Sequence, residues 1–234
     1  MDDMKKIGLC VHYLSIFSVF FLGTATLKGE GASLDEVLSR MDAAGAKLNS
    51  MRAEIHQKKW TAILEEFDQG ESGQFSFLKT DEGVYLRKDI EKPTSNTLVI
   101  KEGQVIFYQP SIKQAQRYNL GNHEDKAEFL LLGFGSNKKA LSDTYETNLL
   151  GRETVGEHNT YQLELKPKSK DVAAFFVRIL LWVDDKMWVP VQEQLVEPTQ
   201  DYLLIRFAEV QLEPELSKSD FKVDLPKDVK IIQN

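Results

Sequence analysis

The stretch Phe176-Val-Arg-Ile-Leu-Leu-Trp-Val-Asp-Asp-Lys-Met-Trp-Val-Pro-Val-Gln-Glu-Gln-Leu-Val-Glu-Pro198 predicts two β-strands joined by a tight turn. Both halves are rich in β-branched and aromatic residues, which favour strands. Asp184-Asp185-Lys186 separates them, and aspartate is favoured in turns because its carboxylate accepts hydrogen bonds from nearby backbone amides. Tyr202 to Val210 predicts a further strand, so this end of the chain indicates an antiparallel meander.

A helix and a change of period open the other end of the domain. Ser33 and Glu36 are spaced as a capping box, and apolar residues then recur at helical spacing as far as Leu48, which predicts a helix over 33–49. From Ser50 the apolar period becomes two, which predicts a strand that can continue through Trp60-Thr-Ala-Ile-Leu64.

The middle of the chain alternates strand and turn signals before a helical interruption over 122–142. Further strands are predicted at 74–78, 84–87, 97–100, 104–108 and 160–165, with a polar edge strand at 113–118. Gly103 is predicted to supply the positive φ of a hairpin turn, and turns are also predicted at 68–73, Gly151 and Gly156. We expect one mainly β domain with some helix, whose sheet must curl or close to protect its edges.

The first 25 residues are typical of a secretory signal peptide. Lys5 and Lys6 form a basic start, Ile7 to Leu22 is an apolar run, and Gly23-Thr24-Ala25 supplies the small residues of a cleavage site. The run of about 16 residues is shorter than the roughly 20 that span a bilayer. We therefore expect residues 1–25 to be removed on export to the periplasm and residues 26–234 to form one domain, with an uncleaved membrane anchor as the alternative.

Charge and cysteine content exclude several classes of protein. Cys10 is the only cysteine and lies in the predicted signal peptide, so neither a disulfide nor thiol chemistry is expected in the remaining domain. The net charge is −7 with or without residues 1–25. An acidic chain argues against a nucleic-acid partner, whose phosphates require a basic surface.

The sequence contains no recognisable catalytic or metal-binding motif. His56, His123 and His158 lie far apart, and none has a ligating partner at metal-binding spacing. Ser111 and Ser136 lack the context of an activated nucleophile. We therefore expect no enzymatic activity, no metal and no cofactor.

The alternation in the strands predicts one apolar sheet face, which must be covered. The strand residues assigned to this face are Met51, Ala53, Ile55, Phe75, Phe77, Leu98, Ile100, Val105, Phe107, Leu163, Leu181, Leu203, Ile205 and Phe207, and the residues expected to cover it as a lid are Phe129, Leu130, Leu132 and Phe134. Periodicity alone leaves open whether this face surrounds a filled core or a lipid-binding cavity. Since each buried acyl methylene gains about 0.8 kcal/mol, a cavity would bind a long chain without any polar contact.

The ordered set of motifs resembles the LolA family of periplasmic lipoprotein carriers, from the helix at Ser33 to Ile232. Ser50 to Gln57 resembles the first strand of the family. Leu98 to Gly103, followed by Val105 to Pro110, resembles its central hairpin, and Ser219 to Val229 resembles its closing strand.

The resemblance implies an incomplete, half-open antiparallel β-barrel with a helical lid over a hydrophobic cavity. It implies a monomeric periplasmic carrier that shuttles acylated lipoproteins from an inner-membrane releasing complex to an outer-membrane acceptor. The family has an Arg-Pro after the second strand, whose arginine tethers the lid, but this chain has Lys79-Thr-Asp-Glu-Gly83. An ammonium lacks the planar fork of a guanidinium, so a carrier of free lipid or glycolipid and an envelope-stress sensor remain alternatives.

Overall fold

The computed structural model describes residues 31–119, 132, 134 and 138–233. Its helices are α1 (Leu34–Lys47), α2 (Lys138–Thr144) and α3 (Lys170–Ala173). Its strands are β1 (Ser50–Thr61), β2 (Glu66–Phe67), β3 (Glu71–Thr80), β4 (Gly83–Lys92), β5 (Asn96–Lys101), β6 (Gln104–Gln109), β7 (Gln114–Asn119), β8 (Tyr145–Val155), β9 (His158–Pro167), β10 (Arg178–Asp184), β11 (Pro190–Val196), β12 (Tyr202–Leu212) and β13 (Lys230–Gln233).

The strands form a single open sheet in the order β13-β7-β6-β5-β4-β3-β1-β12-β11-β10-β9-β8, with β2 paired to β1. Neighbouring strands are antiparallel except β13, which runs parallel to β7. The two ends of the order, β13 and β8, are not joined to each other, so the sheet is not a closed barrel. This confirms the expected half-open, mainly β architecture.

Contacts between chain-distant strands hold the centre of the sheet. β1 pairs with β3 on one side and with β12 on the other, so it joins the two meanders. A bulge in the β1–β12 ladder falls between Arg52 and Glu54, and such bulges bend a strand and increase its local twist.

Helix α1 begins where the capping box predicts. The Ser33 hydroxyl accepts a hydrogen bond from the backbone N–H of Glu36 at 3.2 Å, which satisfies one of the free donors of the first turn. Val37, Leu38 and Met41 are buried on one side of the helix and belong to the main core cluster. The helix therefore covers part of one sheet face.

The two sheet faces differ in character. We call the face that carries the main core cluster the inner face, and the opposite one the outer face. On the inner face, Met51, Ala53 and Ile55 of β1 are at most 2% exposed, whereas the intervening Arg52 and Glu54 on the outer face are exposed. The predicted alternation in β1 is therefore confirmed.

The predicted closing strand at Ser219 to Val229 is wrong. Lys218–Phe221 is a short 3₁₀ helix, and the strand lies further on, at Lys230–Gln233. Ser217 and Asp220 cap the 3₁₀ turn reciprocally, which opposes an extended backbone there. Phe221 is fully buried against Tyr85 and Val99 on the outer face, so the segment anchors the chain rather than extending the sheet at this point.

Four other local predictions require correction. Gly151 lies in β8 next to a bulge rather than in a turn, and Glu71 to Gly73 already belong to β3. Strand β1 ends at Thr61, and Ile63 and Leu64 lie beyond it in an exposed turn. Strand β7 is not an edge because β13 pairs with it. Within the helical interruption predicted over 122–142, α2 is observed at Lys138–Thr144, whereas residues 122–131, 133 and 135–137 lie outside the described residues.

Candidate functional site

The inner face brings most of the predicted strand residues into one cluster. Those buried within it are Met51, Ala53, Ile55, Phe75, Phe77, Ile100, Leu163, Leu181, Ile205 and Phe207, and Val105 and Leu203 pack against it half-buried. Leu98 and Phe107 face each other across β5 and β6 but are half-buried and outside the cluster. These two therefore form the more open margin of the inner face. That any of these residues contacts cargo stays a prediction.

Of the predicted lid residues, the structure describes Leu132 and Phe134, while Phe129 and Leu130 lie outside the described residues. Each described one is 2% exposed and belongs to the inner-face cluster. The Phe134 ring lies 5.5 Å from the ring of Phe75 and 5.1 Å from that of Phe207. Phe75 and Phe207 also contact each other edge-on at 5.2 Å. Phe134 therefore fills the space above the centre of the sheet.

Lys79 fastens the end of α1 to the sheet. Its Nζ donates to the carbonyl oxygens of Gly45 at 3.0 Å and Ala46 at 3.5 Å. Because the carbonyls at a helix C-terminus lack intrahelical donors and carry partial negative charge, a cation there is favourable. Lys79 therefore binds a helix that covers the inner face.

Glu193 is an acid set among apolar side chains on the inner face. On β11 it lies directly opposite Leu181 of β10 and Ile205 of β12, and it is 6% exposed. The described residues offer its carboxylate no hydrogen-bond donor and no cation. Burial alone raises the pKa of Glu193 from 4.5 to about 8, because desolvation disfavours the charged form. Glu193 is therefore mostly neutral near pH 7.

A second polar group lies on the same face, across β12 from Glu193. Lys88 Nζ donates to Gln57 Oε1 at 3.2 Å, and Gln57 Nε2 donates to the Glu71 carboxylate. Burial lowers the pKa of Lys88, and the charge of Glu71 offsets only part of that effect. Lys88 stands opposite Phe75 on β3 and Leu98 on β5, so it borders the apolar cluster.

Sequence reasoning missed these polar residues of the inner face. Glu193 occurs in Gln192-Glu-Gln194, which resembles an ordinary polar stretch. The available signal is the alternation, since Glu193 and Leu195 share a face and Leu195 is apolar and buried. Lys88 likewise alternates with Leu86 and Ile90, both buried in the cluster. A charged residue at an apolar position of an alternating strand is the pattern that would have found both.

A cleft of about 640 Å³ opens where α1 meets the turn between β10 and β11. Its lining includes Ala44 and Lys47 of α1 and Met187 and Trp188 of the turn. Trp188 adopts a positive φ of 59°, which is uncommon for a large side chain. Its ring stacks on Tyr161 at 5.5 Å, and the Arg40 guanidinium lies 4.9 Å from its centre.

The His158–Asp184 pair has a structural explanation. His158 Nδ1 lies 2.8 Å from Asp184 Oδ2, while Asp184 Oδ1 accepts the backbone N–H groups of Lys186 and Met187. The predicted turn role of Asp184 is thus confirmed. Burial opposes ionisation of Asp184, but these hydrogen bonds outweigh it and lower its pKa. No group of three metal-binding side chains occurs within residues 31–119 and 138–233.

Within the described part of the chain, no helix is long and apolar enough to cross a membrane.

The family model described as "Outer membrane lipoprotein carrier protein LolA" matches residues 46–224. This range covers the sheet from the end of α1 to the segment after Phe221. A search of curated proteins finds no significant match.

Two solved structures show the same fold at low sequence identity. An uncharacterized conserved protein from Thermus thermophilus is 15% identical, with a TM-score of 0.56, over 87% of this chain and 100% of that one. MucB is 12% identical, with a TM-score of 0.54, over 87% of this chain and 66% of that one. A putative outer membrane lipoprotein-sorting protein domain from Vibrio parahaemolyticus is more distant, at 14% identity and a TM-score of 0.44, over 80% of this chain and 95% of that one.

Proposed function

The chain belongs to the LolA family of outer membrane lipoprotein carrier proteins, and from that premise we propose that it is a periplasmic carrier of acylated lipoproteins. In this proposal the acyl chains lie against the inner face while the carrier crosses the periplasm. Residues 1–25 act as the signal peptide and residues 26–234 as the carrier domain. A monomeric carrier receives cargo from an inner-membrane releasing complex and delivers it to an outer-membrane acceptor.

The observation that carries the proposal is an apolar sheet face covered by side chains from outside the sheet. Val37, Leu38 and Met41 of α1 pack on it from one helix, and Leu132 and Phe134 pack on it from another segment. If the apolar face only had to enclose a permanent core, a sheet closed on itself would do so equally well. An open sheet instead allows the cover to move aside and an acyl chain to take its place.

The free energy lost when a covering side chain becomes exposed is comparable to the free energy gained when an acyl chain is buried in its place. Burial of a phenylalanine side chain is worth about 1.5–3 kcal/mol. At about 0.8 kcal/mol for each buried methylene, two to four methylenes offset the exposure of Phe134. An acyl chain of ordinary length therefore displaces this side chain with free energy to spare, and release requires only that the cover return.

A carrier of free lipid or glycolipid is the second candidate, and Lys79 favours it. Lys79 holds α1 through two carbonyl contacts, where a guanidinium would offer more donors in a fixed plane. A weaker hold on the cover suits a smaller cargo with fewer acyl chains. The two candidates share the inner face and differ only in what is attached to the acyl chain.

The test is mass spectrometry of the molecules that co-purify with the protein after gentle release from the periplasm. Diacylated or triacylated polypeptides support the lipoprotein carrier. Phospholipid or glycolipid without acylated polypeptide supports the second candidate. A protein that is absent from the periplasm, or that carries no acyl compound and takes none up from vesicles, refutes both.

A further inference from the structure

Glu193 stands out because a buried carboxyl group without a partner is costly. Moving an unpaired polar group into an apolar site costs about 1–3 kcal/mol by protein mutational data. The neighbours of Glu193 across the strands, Leu181 and Ile205, are themselves 0% and 9% exposed. A leucine there would complete the apolar row, so the described residues give no folding reason for an acid.

The carboxyl group is not sealed among its neighbours. Among the described residues, the side-chain atoms that are both fully buried and unpaired are Arg117 Nε and Thr147 Oγ1. Glu193 likewise has no partner among the described residues, yet neither of its oxygens belongs to this fully buried set. With 6% of the residue exposed, the carboxyl group keeps a small accessible surface on the inner face, where an occupant of that face would contact it.

Among the described residues, the elements packed around Glu193 bring no charge to it. Leu163, Leu181 and Ile205 face it from β9, β10 and β12, and the buried side of α1 is apolar. The charged residues on the inner face have partners of their own. Lys59 pairs with Glu197 at 2.9 Å, Glu71 accepts from Gln57, and Lys88 donates to Gln57.

We propose that Glu193 is a specificity-determining contact of the acyl site, where its buried carboxyl group donates a hydrogen bond to the ester or amide carbonyl at the head of a bound acyl chain. The proposal rests on the proposed carrier function and adds the polar contact that the apolar face lacks. A carbonyl oxygen accepts this hydrogen bond without bringing charge into the site. An ether lacks that acceptor strength, and a free fatty-acid carboxylate meets no described cation near Glu193, so both bind less well.

The test compares two ligands that differ only in the carbonyl: 1-monolauroylglycerol, an ester, and 1-O-dodecylglycerol, its ether. Each displaces the neutral dye N-phenyl-1-naphthylamine from the purified protein at pH 6.5 and pH 9, below the micellar concentration. The wild type should bind the ester about threefold to tenfold more tightly than the ether at pH 6.5, the range for one net hydrogen bond. Lauric acid, the free acid, should bind more weakly than the ester.

The variants separate a ligand contact from a structural role. Glu193→Leu should lose the ester preference, whereas Glu193→Gln should keep it at both pH values because a carboxamide donates without ionising. The wild type should lose the preference at pH 9. Glu164→Gln is the matched control: Glu164 is a 9% exposed acid on the outer face, opposite Leu180, and the preference should be unchanged.

Each outcome decides between the proposals. An ester preference that persists in Glu193→Leu, or equal binding of ester and ether by the wild type, overturns the role of Glu193 while acyl binding stands. If neither ligand displaces the dye from any variant, the carrier function itself fails.

Discussion

Replacement of Glu193 by glutamine should remove a pH dependence from the stability of the protein. The native state holds the Glu193 proton up to about pH 8, whereas the unfolded chain releases it near 4.5. Between these values the native state binds more protons than the unfolded state, so the free energy of unfolding falls as pH rises. Below pH 4.5 Glu193 causes no loss of stability, and above about pH 8 the loss is complete.

The magnitude follows from the width of that window. One pKa unit corresponds to 1.36 kcal/mol, so the wild type should lose roughly 3 kcal/mol by pH 7 and roughly 4 kcal/mol by pH 8 relative to pH 4.5. Glutamine has nearly the same shape and does not titrate. The free energy of unfolding of Glu193→Gln minus that of the wild type should therefore rise by about 1.4 kcal/mol per pH unit, then level off.

The assay is urea unfolding followed by tryptophan fluorescence at pH 5, 6, 7, 8 and 9, at one ionic strength. Taking the difference between the two proteins cancels the titration of all groups that they share. Glu164→Gln again serves as the control. The carboxylate of Glu164 lies beside two cations, Lys166 at 3.2 Å and Arg178 at 3.8 Å, whereas Glu193 has no cation among the described residues. Stability curves of wild type and Glu193→Gln that run parallel from pH 5 to pH 8 would refute the reasoning.

The remaining predictions concern the cover, the margin and the backbone of the sheet. Lys79→Met should lose the hydrogen bonds to Gly45 and Ala46, lower stability by roughly 1 kcal/mol and speed hydrogen exchange in α1; unchanged exchange there argues against the tether. Phe134→Ala should cost about 3–5 kcal/mol if the site cannot collapse, and it should increase dye uptake; a protein with wild-type stability and uptake would show that Phe134 is no cover. Phe107→Glu, on the half-buried margin of the inner face, should weaken acyl binding, whereas Tyr108→Glu on the outer face of the same strand should not; equal effects would mean that the face is assigned wrongly. Gly73→Ala should strongly lower the free energy of unfolding, because the added Cβ would collide with the backbone of Asp89 and Ile90. The control Gly31→Ala places its Cβ in open space and should change the free energy of unfolding by less than about 0.5 kcal/mol. If the two variants differ in free energy of unfolding by less than about 1 kcal/mol, the β3–β4 ladder yields at Gly73.

Strand patterns predicted the local structure of the sheet well because each strand has one solvated face. In β1 the alternation of Met51, Ala53 and Ile55 with exposed charges assigned the inner face correctly, since a shift of one residue would have exposed the whole set. The same rule placed Phe75 and Phe77 on β3 and Ile205 and Phe207 on β12. Where a residue breaks the pattern, as Glu193 does, alternation still predicts which face it lies on but does not explain why a charged residue occurs there.

The failures occur where a local signal competes with a distant contact. The residues around Phe221 resemble the closing strand of the family, yet their capping turn and the burial of Phe221 against Tyr85 hold them outside the sheet. The polar pattern of β7 predicts an edge strand, but its partner β13 lies more than a hundred residues along the chain. No window of sequence contains such a pair.

The sequence by itself determined the family, the mainly β class, the start of α1 and the inward side of most strands, because these depend on motif order, periodicity and capping within short windows. Only the tertiary structure decided which polar groups of the inner face lie near one another. Glu193, Gln57, Glu71 and Lys88 come from four different strands, and they lie across one face because β1 pairs with both β3 and β12. The tertiary structure also decided the state of Glu193, since its raised pKa arises from desolvation by side chains of neighbouring strands, and desolvation exists only once those strands have come together.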